Sequence, residues 1–245
     1  MFVCIDLGAS NIRGTWINSS GLTGSVVHSS RPKTLDGTKK SLISIVNDIM
    51  SQCPGKVQKI GLASAGPMDF QKGAYLNPTN MPELKNFYLR DFLLDKFGLE
   101  VTLENDAQAA ALGEIFKGCL IGENDAMVFT LGTGLGSGVV LDNRIWRGKL
   151  PAGPELGHLY LGPGRRIKCG CGQTGCAETW LNAKALSDLV IANNLNISTL
   201  RDLDTHLEEK NTKAIKALNQ YGHRLGLYLT QVISIFGICN IGLGG

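Results

Sequence analysis

The chain has 245 residues, 43% of them hydrophobic and 18% charged, with a formal net charge of +3. That length suffices for two compact lobes or one large domain, and the apolar share argues against disorder. The positive charge is small and scattered, in pairs such as Lys39-Lys40 and Arg165-Arg166, and no stretch approaches the roughly 20 apolar residues that span a bilayer, so neither a nucleic-acid nor a membrane partner is expected.

Phe2 to Asp6 reads as a strand at once, with no basic stretch or small-residue cleavage site before it. No signal peptide is therefore expected, and the cytoplasm is the expected location. A glycine-containing turn follows, and Ile12 to Ile17 resumes as the second arm of a hairpin that ends in the turn Asn18-Ser19-Ser20-Gly21. Val26 to Ser29 reads as a third strand. Leu35 to Gln52 is a helix, because Leu42, Ile45, Val46 and Ile49 recur at helical spacing, and Pro54-Gly55 stops it. Lys59 to Ser64 is a short buried strand broken by Gly66-Pro67. Leu89 to Phe97 is a helix, Glu100 to Leu103 a strand, and Ala107 to Phe116 an alanine-rich helix. This first half is an α/β pattern with a mixed sheet.

The pattern then restarts. Met127 to Leu131 is a strand, Gly132-Thr133-Gly134 a turn, and Gly138 to Asp142 a returning strand. Two halves that each open with a glycine-turned hairpin suggest a duplicated fold, divided at residues 1–118 and 119–245 and packed around a cleft. Thr179 to Asn193 and Ala214 to Phe236 complete the helices.

Four groups of residues carry chemistry. In Asp6-Leu7-Gly8-Ala9-Ser10-Asn11 a carboxylate at a strand end precedes a turn of small residues. Glycine lets backbone N–H groups approach an anion, Ser10 and Asn11 can donate, and Asp6 suits Mg²⁺ held through water; an ordinary hairpin turn explains the same residues. Gly132-Thr133-Gly134-Leu135-Gly136-Ser137-Gly138 is neither a P-loop nor a dinucleotide fingerprint, since no Gly-Lys-Ser/Thr and no helix follows. Facing the first turn it would cradle a triphosphate; alone it is a flexible hairpin. In Glu104-Asn105-Asp106 a carboxylate at a strand end can take a proton from a substrate hydroxyl, although helix capping uses the same residue types.

The fourth group rests on the seven cysteines. Cys4, Cys53, Cys119 and Cys239 stand singly in or beside apolar segments and read as small hydrophobes. Cys169, Cys171 and Cys176 are clustered downstream of His158, and Cys₃His is a closed structural zinc set. Buried free thiols or a redox trio are the alternatives. With four protein ligands the metal has no open position, so its role is to fix the loop and hold Glu155 and Glu178 rigidly beside it.

Together these segments resemble the ROK family of sugar kinases. Residues 131–158 are similar to its signature, 155–178 to its Glu-x-Gly-His and zinc module, and Ser64-Ala65-Gly66-Pro67 and Asn80-Met81-Pro82 to its sugar loops. The resemblance implies a two-lobed actin-like ATPase (ribonuclease H-like) fold, with mixed sheets and helices on both faces. It implies Asp106 as catalytic base, and Gly66, Asn80, Asn105, Glu155, His158 and Glu178 as sugar contacts, His158 also being a zinc ligand. Asp6, Gly8, Ser10 and Asn11, with Gly132, Thr133 and Gly134, would surround the phosphates of ATP and Mg²⁺. The reaction implied is transfer of the γ-phosphoryl group to a hexose. Glucose, giving glucose 6-phosphate, is the first expectation; N-acetylmannosamine, N-acetylglucosamine, fructose and allose are the alternatives. A homodimer is the expected assembly.

The family also contains repressors with an N-terminal helix-turn-helix. Here the kinase-like strand starts at residue 2, so DNA binding is expected to be absent. The chain ends at Leu243-Gly244-Gly245, where the family's adenosine site and closing helix would follow, and Asn240 and Gly242 interrupt an otherwise apolar strand. A partial adenosine site, and with it a catalytically weak sugar-binding protein, is the alternative expectation.

Overall fold

The computed structural model describes residues 1–149, 153–163 and 167–245; the Arg165-Arg166 pair and part of the 131–158 segment lie outside them. The chain forms two compact units.

The first unit comprises Met1–Ala109 and Arg147–Gly153. Its strands are β1 (Phe2–Leu7), β2 (Asn11–Ile17), β3 (Val27–Ser30), β4 (Lys59–Ser64), β5 (Met68–Asp69), β6 (Ala74–Tyr75) and β7 (Glu100–Asn105). Its helices are α1 (Leu35–Ser51) and α2 (Leu89–Phe97), with a 3-10 turn at Pro82–Leu84. The main sheet runs β3-β2-β1-β4-β7, antiparallel across β3, β2 and β1 and parallel across β1, β4 and β7. β5 and β6 form a small separate hairpin that the sequence pattern did not reveal.

Helix α1 starts where the Thr34 side chain accepts from Gly37 N, a standard cap. It buries Leu42, Ile45, Val46 and Ile49, the stripe that helical spacing foretold, and Thr38 one turn before them. Each such aliphatic side chain, fully buried, contributes about 1.5–3 kcal/mol. The helix presses on β2 at Gly14, where a Cβ would stand 2.6 Å from Ile49 Cδ1 and 2.9 Å from Cys4 O. Helix α2 buries Leu89 and Leu93 and stops at left-handed Gly98.

Helix α3 (Asp106–Lys117) runs from the first unit into the second, which comprises Ala110–Trp146 and Pro154–Gly245. The second unit holds β8 (Ala126–Leu131), β9 (Leu135–Leu141), β10 (Arg144–Ile145) and β11 (Ile241–Gly244), in the order β10-β9-β8-β11. Its helices are α4 (Glu178–Leu181), α5 (Ala183–Ala192), α6 (Asp202–Glu208) and α7 (Thr212–Phe236), with a 3-10 turn at Leu156–His158. Its core gathers Met127, Phe129, Val139, Leu181 and Tyr228, the Phe129 and Tyr228 rings meeting edge to face at 5.3 Å.

The duplication is visible in the sheets. β1 pairs antiparallel with β2 and parallel with β4, and β8 pairs antiparallel with β9 and parallel with β11. Three expectations need correction. The returning strand begins at Leu135, three residues before Gly138. The helix expected over Thr179–Asn193 breaks at extended Asn182, whose side chain caps α5 by accepting from Ala185 N. The break frees Ala183 N to donate to Gly132 O in the glycine hairpin, at 2.8 Å. Asn240 and Gly242 do not prevent β11: the Asn240 side chain donates to Glu123 just outside the strand, and a Cβ at Gly242 would crowd Val128 and Leu120. Among the described residues no helix is long and apolar enough to cross a membrane.

Candidate functional site

In the first unit, β1 and β2 are joined by the turn that carries Asp6, Gly8, Ser10 and Asn11. The Gly8 N–H closes the turn on Asn11 O at 2.9 Å, so it is committed within the backbone. Asp6 and Ser10 are exposed, and Asp6 lies 4.0 Å from Arg13. The adjacent strand end is fixed from inside: Ser64 Oγ donates to Leu7 O at 3.0 Å and lies 2.5 Å from the Tyr75 hydroxyl. Burial holds that phenol well above its ordinary range, so it stays protonated.

Strand β7 delivers Asn105 to the start of α3, where Asp106 is the first helical residue. Asn105 Oδ1 accepts from Ala107 N and Gln108 N, and Asp106 Oδ1 accepts from Ala107 N. The capping role and the exposed carboxylate, rival readings of the sequence, therefore coexist: Asn105 caps, and Asp106 reaches solvent. Loss of hydration raises the Asp106 carboxyl above its usual range; the Ala107 N–H opposes this and the Asp6 carboxylate adds to it. Gly66 stands against the same strand end, its Cβ position 3.7 Å from Asn105 Nδ2. Asn80 is exposed, one residue before buried Met81 and two before the 3-10 turn at Pro82.

Two partners of this strand end were not legible in the sequence. Arg147 pairs with Glu104, whose other oxygen accepts from Asn105 N. Gln108 is buried, and a Cβ on Gly153 would stand 2.7 Å from its Nε2. Both contacts join residues about forty positions apart, beyond any local pattern.

In the second unit, His158, Cys169, Cys171 and Cys176 bring one ligand atom each to within 4.8 Å of one another. His158 Nδ1 lies 3.5 Å from Cys169 Sγ, and Cys171 Sγ lies 3.6 Å from Cys176 Sγ. Tetrahedral zinc with Zn–S bonds near 2.3 Å sets its sulfurs about 3.8 Å apart, so this donor set fits the ion. Without a cation the cluster is ill-suited to its charges: burial, and then the Cys171 and Glu178 side chains, push the Cys169 thiol up to about 12. Left-handed Gly172 and Gly175 make the turns between the cysteines. Because Nδ1 faces the cluster, Nε2 is the His158 nitrogen turned from it.

Glu178 opens α4 and links this cluster to the glycine hairpin. Its Oε2 accepts from Leu135 N at 3.2 Å, and its Oε1 lies 3.4 Å from Cys169 Sγ. A side chain at Gly134 would put its Cβ 2.5 Å from that carboxylate. Gly157 is pressed still closer, its Cβ position 2.3 Å from Leu135 O, and Leu156 N donates to Ser137 Oγ. Exposed Glu155 immediately precedes this turn. The Gly132 N–H closes the hairpin on Gly134 O, beside Thr133. Thus Gly132, Thr133, Gly134, Glu155, His158, Glu178 and the three cysteines belong to the second unit, and the other candidate residues to the first.

The sequence model of the ROK family matches residues 2–245. Among curated relatives, the xylose repressor of Bacillus spizizenii is 29% identical over 243 residues, covering 95% of this chain and 60% of its own. The glucokinase of Thermotoga maritima is 32% identical over 184 residues, 74% of this chain and 57% of its own. The chain thus spans about 60% of the length of these curated relatives. The crystal structure of the ROK hexokinase from Thermus thermophilus superposes with a TM-score of 0.84 at 33% identity, covering all of this chain and 81% of that one. A ROK glucokinase from Streptomyces griseus, solved with glucose and AMPPNP, has a TM-score of 0.85 at 24% identity, covering 100% and 82%. The fold is that of the actin-like ATPases, with mixed sheets and flanking helices.

Proposed function

The chain belongs to the ROK family, and from that premise we propose that it transfers the γ-phosphoryl group of ATP to a hexose, glucose first, with Asp106 as general base. The observation that carries this reading is the Asp106 carboxyl, reaching solvent at the first residue of α3, directly after β7, with its proton affinity raised. In the step, a sugar hydroxyl oxygen forms a bond to the γ-phosphorus. The bond from that phosphorus to the bridging oxygen breaks, ADP leaves, and the hydroxyl proton passes to an Asp106 oxygen. Little else is asked of the protein beyond positioning and charge neutralisation.

The remaining roles follow from chemistry. Asn105, Glu155, His158 and Glu178, with Asn80 and Gly66, take the sugar hydroxyls. Glu178 receives one N–H from the glycine hairpin and has acceptor capacity left, and His158 has Nε2 left. Ser10 and Asn11, with Thr133 and Gly134, take the phosphates, Gly8 and Gly132 closing the two turns that present them, and Asp6 would hold the Mg²⁺ that neutralises the charge. His158, Cys169, Cys171 and Cys176 would hold one structural zinc, which supplies rigidity rather than an activated water. Residues 1–118 act as the sugar and phosphate lobe and 119–245 as the nucleotide and zinc lobe, in a cytoplasmic homodimer without nucleic-acid or membrane partners.

A repressor relative that matches 95% of the chain favours a second reading, a sugar-responsive regulator. N-acetylmannosamine, N-acetylglucosamine, fructose and allose are the alternative substrates. One experiment separates these. ADP release is measured with each hexose in turn, beside salt-dependent binding to duplex DNA. Turnover with one hexose and no DNA binding is expected. Hexose-sensitive DNA binding with no turnover on any hexose would establish the regulator instead.

A further inference from the structure

We propose that Arg31 and Glu83 form a buried strut between the phosphate turn and the Asn80 loop of the first unit, so that nucleotide and sugar strengthen each other's binding. It rests on the assignment of residues 6–11 to phosphate and of Asn80 to sugar.

Arg31 follows β3, in a Ser-Arg-Pro segment with no recognisable motif. Its side chain is 1% exposed. Nε and Nη2 both donate to Ala9 O, at 3.0 and 2.8 Å, and its backbone N–H donates to Ser10 O at 2.8 Å. One residue thus grips two consecutive carbonyls of the turn between β1 and β2. Nη1 donates to Pro32 O, to Thr38 Oγ1 on α1, and to the Glu83 carboxylate.

Glu83 stands in the 3-10 turn at Pro82–Leu84, three residues after Asn80. This loop is stiff. Met81 N donates to Pro78 O, Leu84 N to Met81 O, and both Met81 and Leu84 are fully buried. A guanidinium this deeply buried requires an anion, and Glu83 is its only ion-pair partner among the described residues. Desolvation opposes ionisation of Glu83, yet the Arg31 hydrogen bond and charge hold its carboxyl below the usual range.

The guanidinium is planar and its donors diverge at fixed angles. Drawing the Asn80 loop toward a sugar therefore rotates the same group that holds Ala9, and fixing the turn on phosphates presents Nη1 to Glu83 in one orientation. Such coupling is reciprocal for binding.

The test is calorimetry on the protein with glucose alone, Mg²⁺–AMPPNP alone, and each in the presence of the other. The unmodified protein should bind glucose about fivefold or more tightly once the nucleotide is bound. In Glu83→Gln the factor should fall toward one, while each ligand alone binds within about threefold of normal. The paired apolar replacement Arg31→Met with Glu83→Leu removes the strut without leaving a buried charge, and decides the matter if the single variant fails to fold. A coupling factor near one in the unmodified protein, or an unchanged factor in the folded paired variant, overturns the strut alone. Binding of neither ligand to the unmodified protein overturns the kinase reading and the strut with it.

Discussion

The proposed reaction turns on Asp106, and the surroundings of its carboxyl give a signed prediction. Its carboxyl is raised in the folded state by loss of hydration. A group so shifted contributes stability below its unfolded pKa, about 3.9, and loses that contribution as pH rises through the folded value. At pH 7 the charge therefore opposes folding. Asp106→Asn should unfold at the same or a higher temperature than the parent at pH 7, with the advantage gone near pH 3; a clearly lower melting temperature at pH 7 would contradict this. The acid limb of kcat/KM should likewise lie above the range of an ordinary aspartate. The residues legible in the sequence were those whose partners are near in the chain. The cysteine trio could be read because its spacing is its geometry. Arg31 and Glu83, 52 positions apart, and Arg147 and Glu104, 43 apart, could not. Nothing local marks a buried arginine from a surface one.

At the scale of elements, strands and long helices followed from period and punctuation, and the errors fell where a tertiary bond overrides propensity. Leu181-Asn182-Ala183 reads as mid-helix in a run of good helix formers. There Asn182 is extended and caps a new helix, and the Ala183 N–H released from the helical ladder is satisfied by Gly132 O of the glycine hairpin. Asn182→Ala should destabilise the protein by about 1 kcal/mol in urea unfolding, the usual worth of such a cap. An unchanged midpoint would show that the cap contributes nothing. Gly14→Ala, placing a methyl against Ile49 and the Cys4 carbonyl, should cost about 1–3 kcal/mol. A neutral effect would mean that α1 yields more easily than its packing indicates.

At the scale of the whole molecule, the duplicated hairpin and parallel strand explain why one fold carries two glycine turns. The Cys₃His cluster lies in the second unit alone among the described residues. Metal analysis should find one zinc per chain. Chelation should lower the melting temperature and weaken hexose binding together, because His158 and Glu178 would lose a shared anchor. Native protein free of zinc, with three readily titrated thiols, would remove that anchor from the mechanism.

Phosphoryl transfer to a sugar is tested most directly by single turnover of Mg²⁺–ATP with glucose, comparing the unmodified protein with Asp106→Asn and measuring glucose affinity and zinc content in both. Sugar phosphate should form in the unmodified protein. In the variant its rate should drop by about 10²- to 10⁴-fold, the usual worth of a general base, with glucose affinity and zinc retained. Equal rates in the two proteins, or no sugar phosphate from the unmodified protein with any hexose, would contradict it.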